Sequence, residues 1–282
     1  MAVAHELPGT ELISVDSMQV YRGMDVGTAK PTRAERAAVR HHCIDLVEPT
    51  EEFTVAQFKT AHRLALDEIA SRDGRALLVG GTGLYHRVVI DDFDLPGEWP
   101  EVRTSLEEQD LDALYTRLVA TDPAAATKIE PENRRRIVRA LEVTLGSGRP
   151  FSSFGPGVDH YPETGVVQIG LRWPRAVIAK RIEARVRRML AEGLVDEVRM
   201  LSAAGLSKTA GQALGYKETL RYLDGEISED AAVEMIITRT RQFAVRQERW
   251  FRRDPRVRWI DVEQDPVAEV APIVIEHFEK LQ

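Results

Sequence analysis

Ala76-Leu77-Leu78-Val79-Gly80-Gly81-Thr82-Gly83-Leu84-Tyr85 reads as a short apolar strand that passes through a glycine turn straight into a helix. Strand, glycine turn and helix in that order mark a crossover unit of a parallel sheet. Upstream, Glu11-Leu12-Ile13-Ser14-Val15 is a second strand, and it ends in the carboxylate of Asp16. Open α/β sheets present reactive groups at the carboxyl edge of their strands, so Asp16 is expected at such an edge. Between the two strands, Phe53-Thr54-Val55 starts an amphipathic helix with Val55, Phe58, Leu64 or Ala65, and Ile69 on its apolar side, closed by Asp73-Gly74. Residues 1–8 read as the end of a helix broken by Pro8-Gly9, and Pro31 opens another helix-like stretch.

Downstream, the chain changes character twice. Residues 91–100 are loop-like, and helical patterns follow at 101–120, 122–128 and 132–146, closed by Gly146-Ser147-Gly148-Arg149-Pro150 and a loose stretch to 165. Then Val166–Trp173 alternates as a strand, and helices are expected at 175–191, 194–204 and 229–253. Val257-Arg258-Trp259-Ile260-Asp261 is a last strand, before a helix at 266–281. The expectation is an α/β fold with a parallel-sheet core in residues 1–92 and 164–282, interrupted by an all-helical insertion at 93–163.

Composition describes an ordinary globular protein, with 43% hydrophobic and 29% charged residues among 282. No apolar stretch approaches the ~20 residues that span a bilayer. The start carries no basic, apolar leader pattern, and the single cysteine, Cys43, excludes an internal disulfide, so the expected compartment is the cytoplasm. A net charge of −7 argues against a nucleic-acid partner until its distribution is examined. Arginines gather at 134–139, 172–188 and 239–258, while acids concentrate at 91–112, 224–234 and 261–279. A phosphate-bearing ligand can face the first set while the second covers the rest of the surface.

Several residues can carry chemistry. A carboxylate after an interior strand, as Asp16 is, serves as general base, magnesium ligand or helix cap. Glycines at 80, 81 and 83 let backbone approach a phosphate, and amides opening a helix favour negative charge. In the helix at 175–191, Ile178, Ile182, Val186 and Met189 form one stripe, with Arg181, Arg185 and Arg188 beside it. Those arginines are either phosphate ligands or a solvated face. Arg239, Gln242, Arg246, Arg249 and Arg253 form a comparable stripe beside Phe243 and Trp250, which read as core. His41-His42-Cys43 has no second cluster at ligand spacing and reads as a packed segment.

The run Asp16-Ser17-Met18-Gln19-Val20-Tyr21-Arg22-Gly23-Met24-Asp25-Val26-Gly27-Thr28-Ala29-Lys30-Pro31 resembles the signature of the tRNA dimethylallyltransferases. The glycine turn, Asn133–Glu142, Gln212–Glu218, Thr238–Gln247 and Trp250-Phe251-Arg252 resemble the same family, in order, from residue 11 to about 253. The resemblance implies a core like that of phosphate-loop kinases and transfer of a dimethylallyl group to N6 of the adenine 3′-adjacent to the anticodon. It implies that Asp16 takes the amine proton and that Thr82 hydrogen-bonds the oxygen bridging prenyl carbon and diphosphate. Gly80, Gly81, Thr82, Arg181 and Arg185 would hold the diphosphate. Asp16, Ser17, Met18, Gln19, Arg135, Arg136, Ile137, Val138, Arg139, Gln212, Ala213, Leu214, Gly215, Tyr216 and Lys217 would contact tRNA. The expected partners are the tRNA anticodon stem-loop, lying between the insertion and the arginine-bearing helices with its adenine flipped out, and dimethylallyl diphosphate. The expected cofactor is Mg2+, with no ligand from these residues, and the protein is expected to be a monomer without membrane contact.

The family begins with a strand and a G-x-x-x-x-G-K-[ST] loop, and this sequence contains no such loop. Residues 1–8 resemble the tail of the helix that follows it. The working expectation is a natural protein that starts upstream of Met1, and the alternative is a true truncation with an exposed sheet edge and little transferase activity. The competing functions are an adenylate dimethylallyltransferase acting on free nucleotide, a small-molecule or nucleotide kinase, and a non-catalytic tRNA-binding protein. The helical insertion and the stripe at 239–253 favour tRNA.

Overall fold

A computed structural model describes residues 1–155 and 157–280. The chain divides into two compact units, Met1–Ile90 with Glu163–Gln282, and Asp91–Pro162. In the first unit the elements are α1 (Ala2–Glu6), β1 (Thr10–Val15), α2 (Arg33–Ala38), β2 (His41–His42), α3 (Val55–Ala70), β3 (Arg75–Gly80) and α4 (Gly83–Ile90). Two of these helices start on capping boxes: Thr32 with Glu35 for α2, and Thr54 with Gln57 for α3. Each box satisfies two orphan amides and fixes where the helix begins.

Strand β1 lies in the middle of a three-stranded parallel sheet of order β2-β1-β3. Its register runs from Thr10 opposite Arg75 to Val15 opposite Gly80, so β1 and β3 end at the same level. Asp16 and Gly81 therefore leave one carboxyl edge side by side. Ile13 and Val15 of β1 are wholly buried with Phe58 and Ile69 of α3, each such side chain contributing about 1.5–3 kcal/mol.

In the second unit, Asp91–Pro162, the helices are α5 (Pro100–Glu107), α6 (Leu111–Thr121), α7 (Pro123–Ala126) and α8 (Arg134–Ser147). The single helix expected at 101–120 is two, because Asp110 caps α6 by accepting from the amides of Asp112 (2.9 Å) and Ala113 (3.3 Å). Leu106, Leu114, Leu118, Ile137 and Leu141 form its core. Glu142 is also fully buried there, and it accepts from the Trp99 amide at 2.8 Å while pairing with Arg103 (2.9 Å) and Arg139 (3.0 Å).

The first unit resumes with β4 (Gln168–Arg172), α9 (Arg175–Ala191), α10 (Leu194–Ala204), α11 (Tyr216–Leu223), α12 (Glu229–Phe251), β5 (Val257–Asp261) and α13 (Pro266–Glu279). Strands β4 and β5 pair in parallel from Gln168–Val257 to Arg172–Asp261. The parallel core thus comes as a three-stranded and a two-stranded piece among the described residues. Helix α9 buries Ile182, Val186 and Met189, and its arginines lie off that buried stripe. Helix α12 buries Ala232, Ile236 and Ile237 in its first half only. Among the described residues no helix is long and apolar enough to cross a membrane.

Candidate active site at the sheet edge

Asp16 follows the last residue of β1. Its Oδ1 accepts from the backbone amides of Met18 (2.8 Å) and Gln19 (3.3 Å), an Asx-type turn that sets the direction of the chain after the strand. Its other oxygen has no hydrogen-bond partner among the described residues, so half of the carboxylate caps and half is available. Thr82 stands beside it: its amide donates to the Val15 carbonyl (3.3 Å), and its Oγ1 accepts from the Ser17 amide (3.1 Å). The β1–β3 register alone brings these groups together across 65 residues of sequence.

The glycine turn has a packing reason that the sequence reading did not supply. A Cβ on Gly81 would lie 1.8 Å from Gln247 Nε2, which donates to the Gly81 carbonyl at 2.9 Å. A Cβ on Gly83 would lie 2.2 Å from the Trp250 indole. Helix α12 fills the space that side chains at 81 and 83 would need. Trp250 is accordingly a packing residue, as expected. Phe243, expected in the core with it, is exposed, and the Arg246 guanidinium lies 5.9 Å from its ring. Six residues past the buried Ile237, Phe243 falls on the outer side of α12.

Arg185 of α9 faces the same edge. Desolvation lowers its pKa, and the charge of Asp16 acts in the opposite direction. Arg181, one turn earlier, lies with its guanidinium 4.3 Å over the Trp173 ring. Burial raises the Tyr85 phenol above its ordinary value, with smaller contributions from Tyr21 and Asp16, so Tyr85 stays neutral beside the carboxylate. Its ring packs on Phe58, with centroids 4.4 Å apart. Among the described residues no three His, Cys, Asp or Glu side chains converge into a metal cage.

The family description for IPP transferases matches residues 19–254. This chain belongs to the IPP transferase family. It is 50% identical over 262 residues to the tRNA dimethylallyltransferase of Kineococcus radiotolerans, covering 91% of this chain and 82% of that protein. It is 48% identical over 280 residues to the tRNA dimethylallyltransferase of Thermobifida fusca, covering 97% and 87%. Among solved structures, the tRNA isopentenylpyrophosphate transferase of Bacillus halodurans matches with a TM-score of 0.70 at 38% identity, covering 99% of this chain and 92% of that one. A eukaryotic dimethylallyltransferase acting on tRNA matches with a TM-score of 0.81 at 25% identity, covering 100% and 75%.

The residues that the family signature points to for tRNA contact sort by accessibility. Gln19 is committed within the protein: its Oε1 accepts from the Ser14 hydroxyl (2.8 Å), and its Nε2 donates to the carbonyls of Thr28 (3.2 Å) and Ala29 (3.4 Å). Ser17 and Met18 are half-buried. In α8, Arg135 and Arg136 are exposed, whereas Ile137 and Val138 belong to the helical core. Arg139 is a brace, donating to the carbonyls of Pro96 (2.9 Å) and Gly97 (3.0 Å). Of the stretch opening α11, Gln212 is exposed and accepts from Lys217 Nζ at 2.9 Å, and Leu214 is half-buried. Ala213, Gly215 and Tyr216 are buried. The α12 stripe also divides, since Arg239 pairs with the buried Glu218 while Arg246 and Arg249 point outward without an ion pair to the described residues.

Sequence reasoning missed two residues that hold the site. Lys30, part of the signature run, is buried; its ammonium bonds the Tyr21 carbonyl (2.7 Å), Asp45 (2.7 Å) and Asp25 (2.8 Å). Glu197, in the first turn of α10, reads in the sequence as an ordinary acid near a helix start. In the structure it accepts from three consecutive amides of the loop 25–27. No local pattern announces a partner 170 residues away.

Proposed function

We propose that this chain transfers a dimethylallyl group from dimethylallyl diphosphate to N6 of the adenine 3′-adjacent to the anticodon of tRNA, giving N6-dimethylallyladenosine and diphosphate. One observation carries the residue assignment: the uncapped oxygen of Asp16 and the hydroxyl of Thr82 sit together where β1 and β3 end. The exocyclic amine of adenine is a weak nucleophile because its lone pair is delocalised into the ring. As N6 attacks the first prenyl carbon, the N6–H proton passes to the free oxygen of Asp16 and the carbon–oxygen bond to diphosphate breaks. Positioned proton transfer of this kind is worth about 10²–10⁴-fold. Thr82 donates to the bridging oxygen as negative charge grows on it, and Arg185 balances the departing diphosphate. Arg181, held on Trp173, adds a second positive charge from the same helix. The amides of Gly80 and Gly81 complete the diphosphate side.

Among the described residues no cluster of carboxylates forms a protein cage for Mg2+. That ion binds through few carboxylates and substrate phosphates, so it would enter with the donor's diphosphate, and no step here is routed through it. Arg135 and Arg136, Gln212 and Lys217, and Arg246 and Arg249 are the accessible groups we assign to tRNA, with phosphate contacts falling to the arginines. The enzyme acts as a monomer in the cytoplasm.

Asp16→Asn tests the base assignment cleanly, because asparagine keeps the oxygen that accepts from the Met18 and Gln19 amides and loses only the charge. Single-turnover transfer to an unmodified anticodon stem-loop should fall by about 10²–10⁴-fold with stem-loop affinity unchanged. Wild-type turnover by Asp16→Asn refutes the base, and preferential prenylation of free AMP refutes the tRNA substrate.

A further inference from the structure

Glu197 makes an unusual set of contacts for a helix-surface acid. Its Oε2 accepts from the amides of Asp25 (2.9 Å) and Val26 (2.7 Å), and its Oε1 from the Gly27 amide (3.0 Å) and the Tyr216 hydroxyl (2.5 Å). Consecutive amides turned to one point form an anion-binding concavity, and here the protein fills it with its own carboxylate. Bonds to an ionised acceptor are about twice as strong as neutral ones, so this is a firm clamp on the loop. Gly27 is required beneath it: a Cβ there would lie 2.4 Å from the Tyr216 ring and 2.9 Å from Leu194.

The clamped loop leads to the active site in three steps. Immediately after Gly27, the carbonyls of Thr28 and Ala29 receive the side-chain amide of Gln19. Ala29 has φ +47°, a left-handed conformation that a residue with a Cβ holds only where its neighbours impose it. The other end of the Gln19 side chain is fixed by Ser14 of β1, and the Gln19 backbone amide bonds the capped oxygen of Asp16. Deleting the clamp frees the loop, and with it the carbonyls that hold Gln19 and so the turn that aims Asp16. We propose that Glu197 is a positioning residue for prenyl transfer, acting through the loop 25–29 and Gln19 on the orientation of Asp16. This rests on the reading of Asp16 as the proton acceptor.

The test is a double-mutant cycle on the full chain with Glu197→Gln and Gln19→Ala, and Asp16→Asn measured alongside. Glutamine keeps the size of Glu197 but gives up the charge and half of its accepting capacity. Loss of aim at the reacting centre should lower single-turnover transfer by about ten- to a hundredfold in folded Glu197→Gln, with the KM for the prenyl donor unchanged. Glu197→Asp, which restores the charge, should recover part of the rate. Because both side chains act through one loop, the double variant should be no slower than the slower single variant. A folded Glu197→Gln with wild-type turnover overturns the proposal, and so do effects that multiply in the double variant. Should Glu197→Gln fail to fold, Tyr216→Phe removes one donor to the same carboxylate and takes its place in the cycle with the same two criteria. Wild-type turnover by Asp16→Asn defeats the base assignment instead, so the two failures are distinct.

Discussion

Gly80→Ala is the substitution whose effect follows most directly from the register of β1 and β3. A Cβ on Gly80 would lie 2.2 Å from the Val15 carbonyl oxygen, 2.5 Å from its carbon and 2.9 Å from its Cα. All three atoms are backbone, so no side chain can swing aside. Restoring the shortest contact to 3.0 Å requires the two strand ends to part by about 0.8 Å. The displaced carbonyl is the one that accepts from Thr82, and Asp16 is the next residue, so the shift falls between the proposed base and the group proposed to support the leaving oxygen. Misplacement of about 1 Å at a reacting centre costs on the order of 10²-fold, and overpacking of this kind about 1–3 kcal/mol in stability. The assay is single-turnover transfer from labelled donor to an unmodified anticodon stem-loop, paired with urea unfolding. Gly165→Ala is the control, since a Cβ there meets nothing within 4 Å. Wild-type transfer by Gly80→Ala, or an equal loss in Gly165→Ala, refutes the argument from register.

Two further predictions concern stability. His62 is buried with an Nε2 that has no hydrogen-bond partner among the described residues, and burial pulls its pKa from 6.5 to about 4. The unfolded chain binds this proton below about pH 6.5 and the folded chain only near pH 4, so the group costs stability as pH falls through that window. Between pH 7 and pH 5 the loss is about 2 kcal/mol. His62→Leu should lose that much less between the two conditions in urea unfolding, and equal losses in the two proteins would sink the assignment. In the helical unit, Arg139→Ala should destabilise by about 2 kcal/mol because the fully buried Glu142 loses a charged partner. The Arg135→Ala, Arg136→Ala double variant should leave stability unchanged and weaken stem-loop binding with a shallower salt dependence. The reverse pattern in the two measurements would exchange the brace for the tRNA contact.

What the sequence disclosed were features with a local cause. β1 and β3 are short apolar runs bounded by turn residues, and α9 and α10 show their apolar stripe and their ends directly, so both strands and both helices stand where expected. The two-residue β2 was not legible, because His41 and His42 lack any strand pattern and pair only because β1 lies beside them. Nor was α11 read as a helix, since its residues drew attention as a tRNA-contacting stretch. Glu197 and Gln247 escaped for one shared reason: each is an ordinary surface residue by composition, and only a partner far along the chain gives it a role. Lys30 escaped differently, because nothing in the run around it shows that the loop folds back to bury its ammonium on Tyr21, Asp25 and Asp45.

The arginine clusters show how a chain of charge −7 can still offer positive charge to an RNA. Many of the clustered guanidiniums are consumed internally: Arg139 by Glu142, Arg172 by Asp261, Arg239 by Glu218, Arg241 by Glu183 and Arg252 by Glu248. Part of the acid excess is thus tied up against these arginines and does not repel a phosphate. The arginines that stay exposed without an ion pair among the described residues include Arg135 and Arg136 on α8, Arg181 and Arg185 on α9, and Arg246 and Arg249 on α12. Net charge averages the two populations, whereas affinity for a phosphate backbone depends on the unpaired one. A stripe drawn at helical spacing cannot tell them apart, because the acids that neutralise Arg239 and Arg241 lie on α11 and α9.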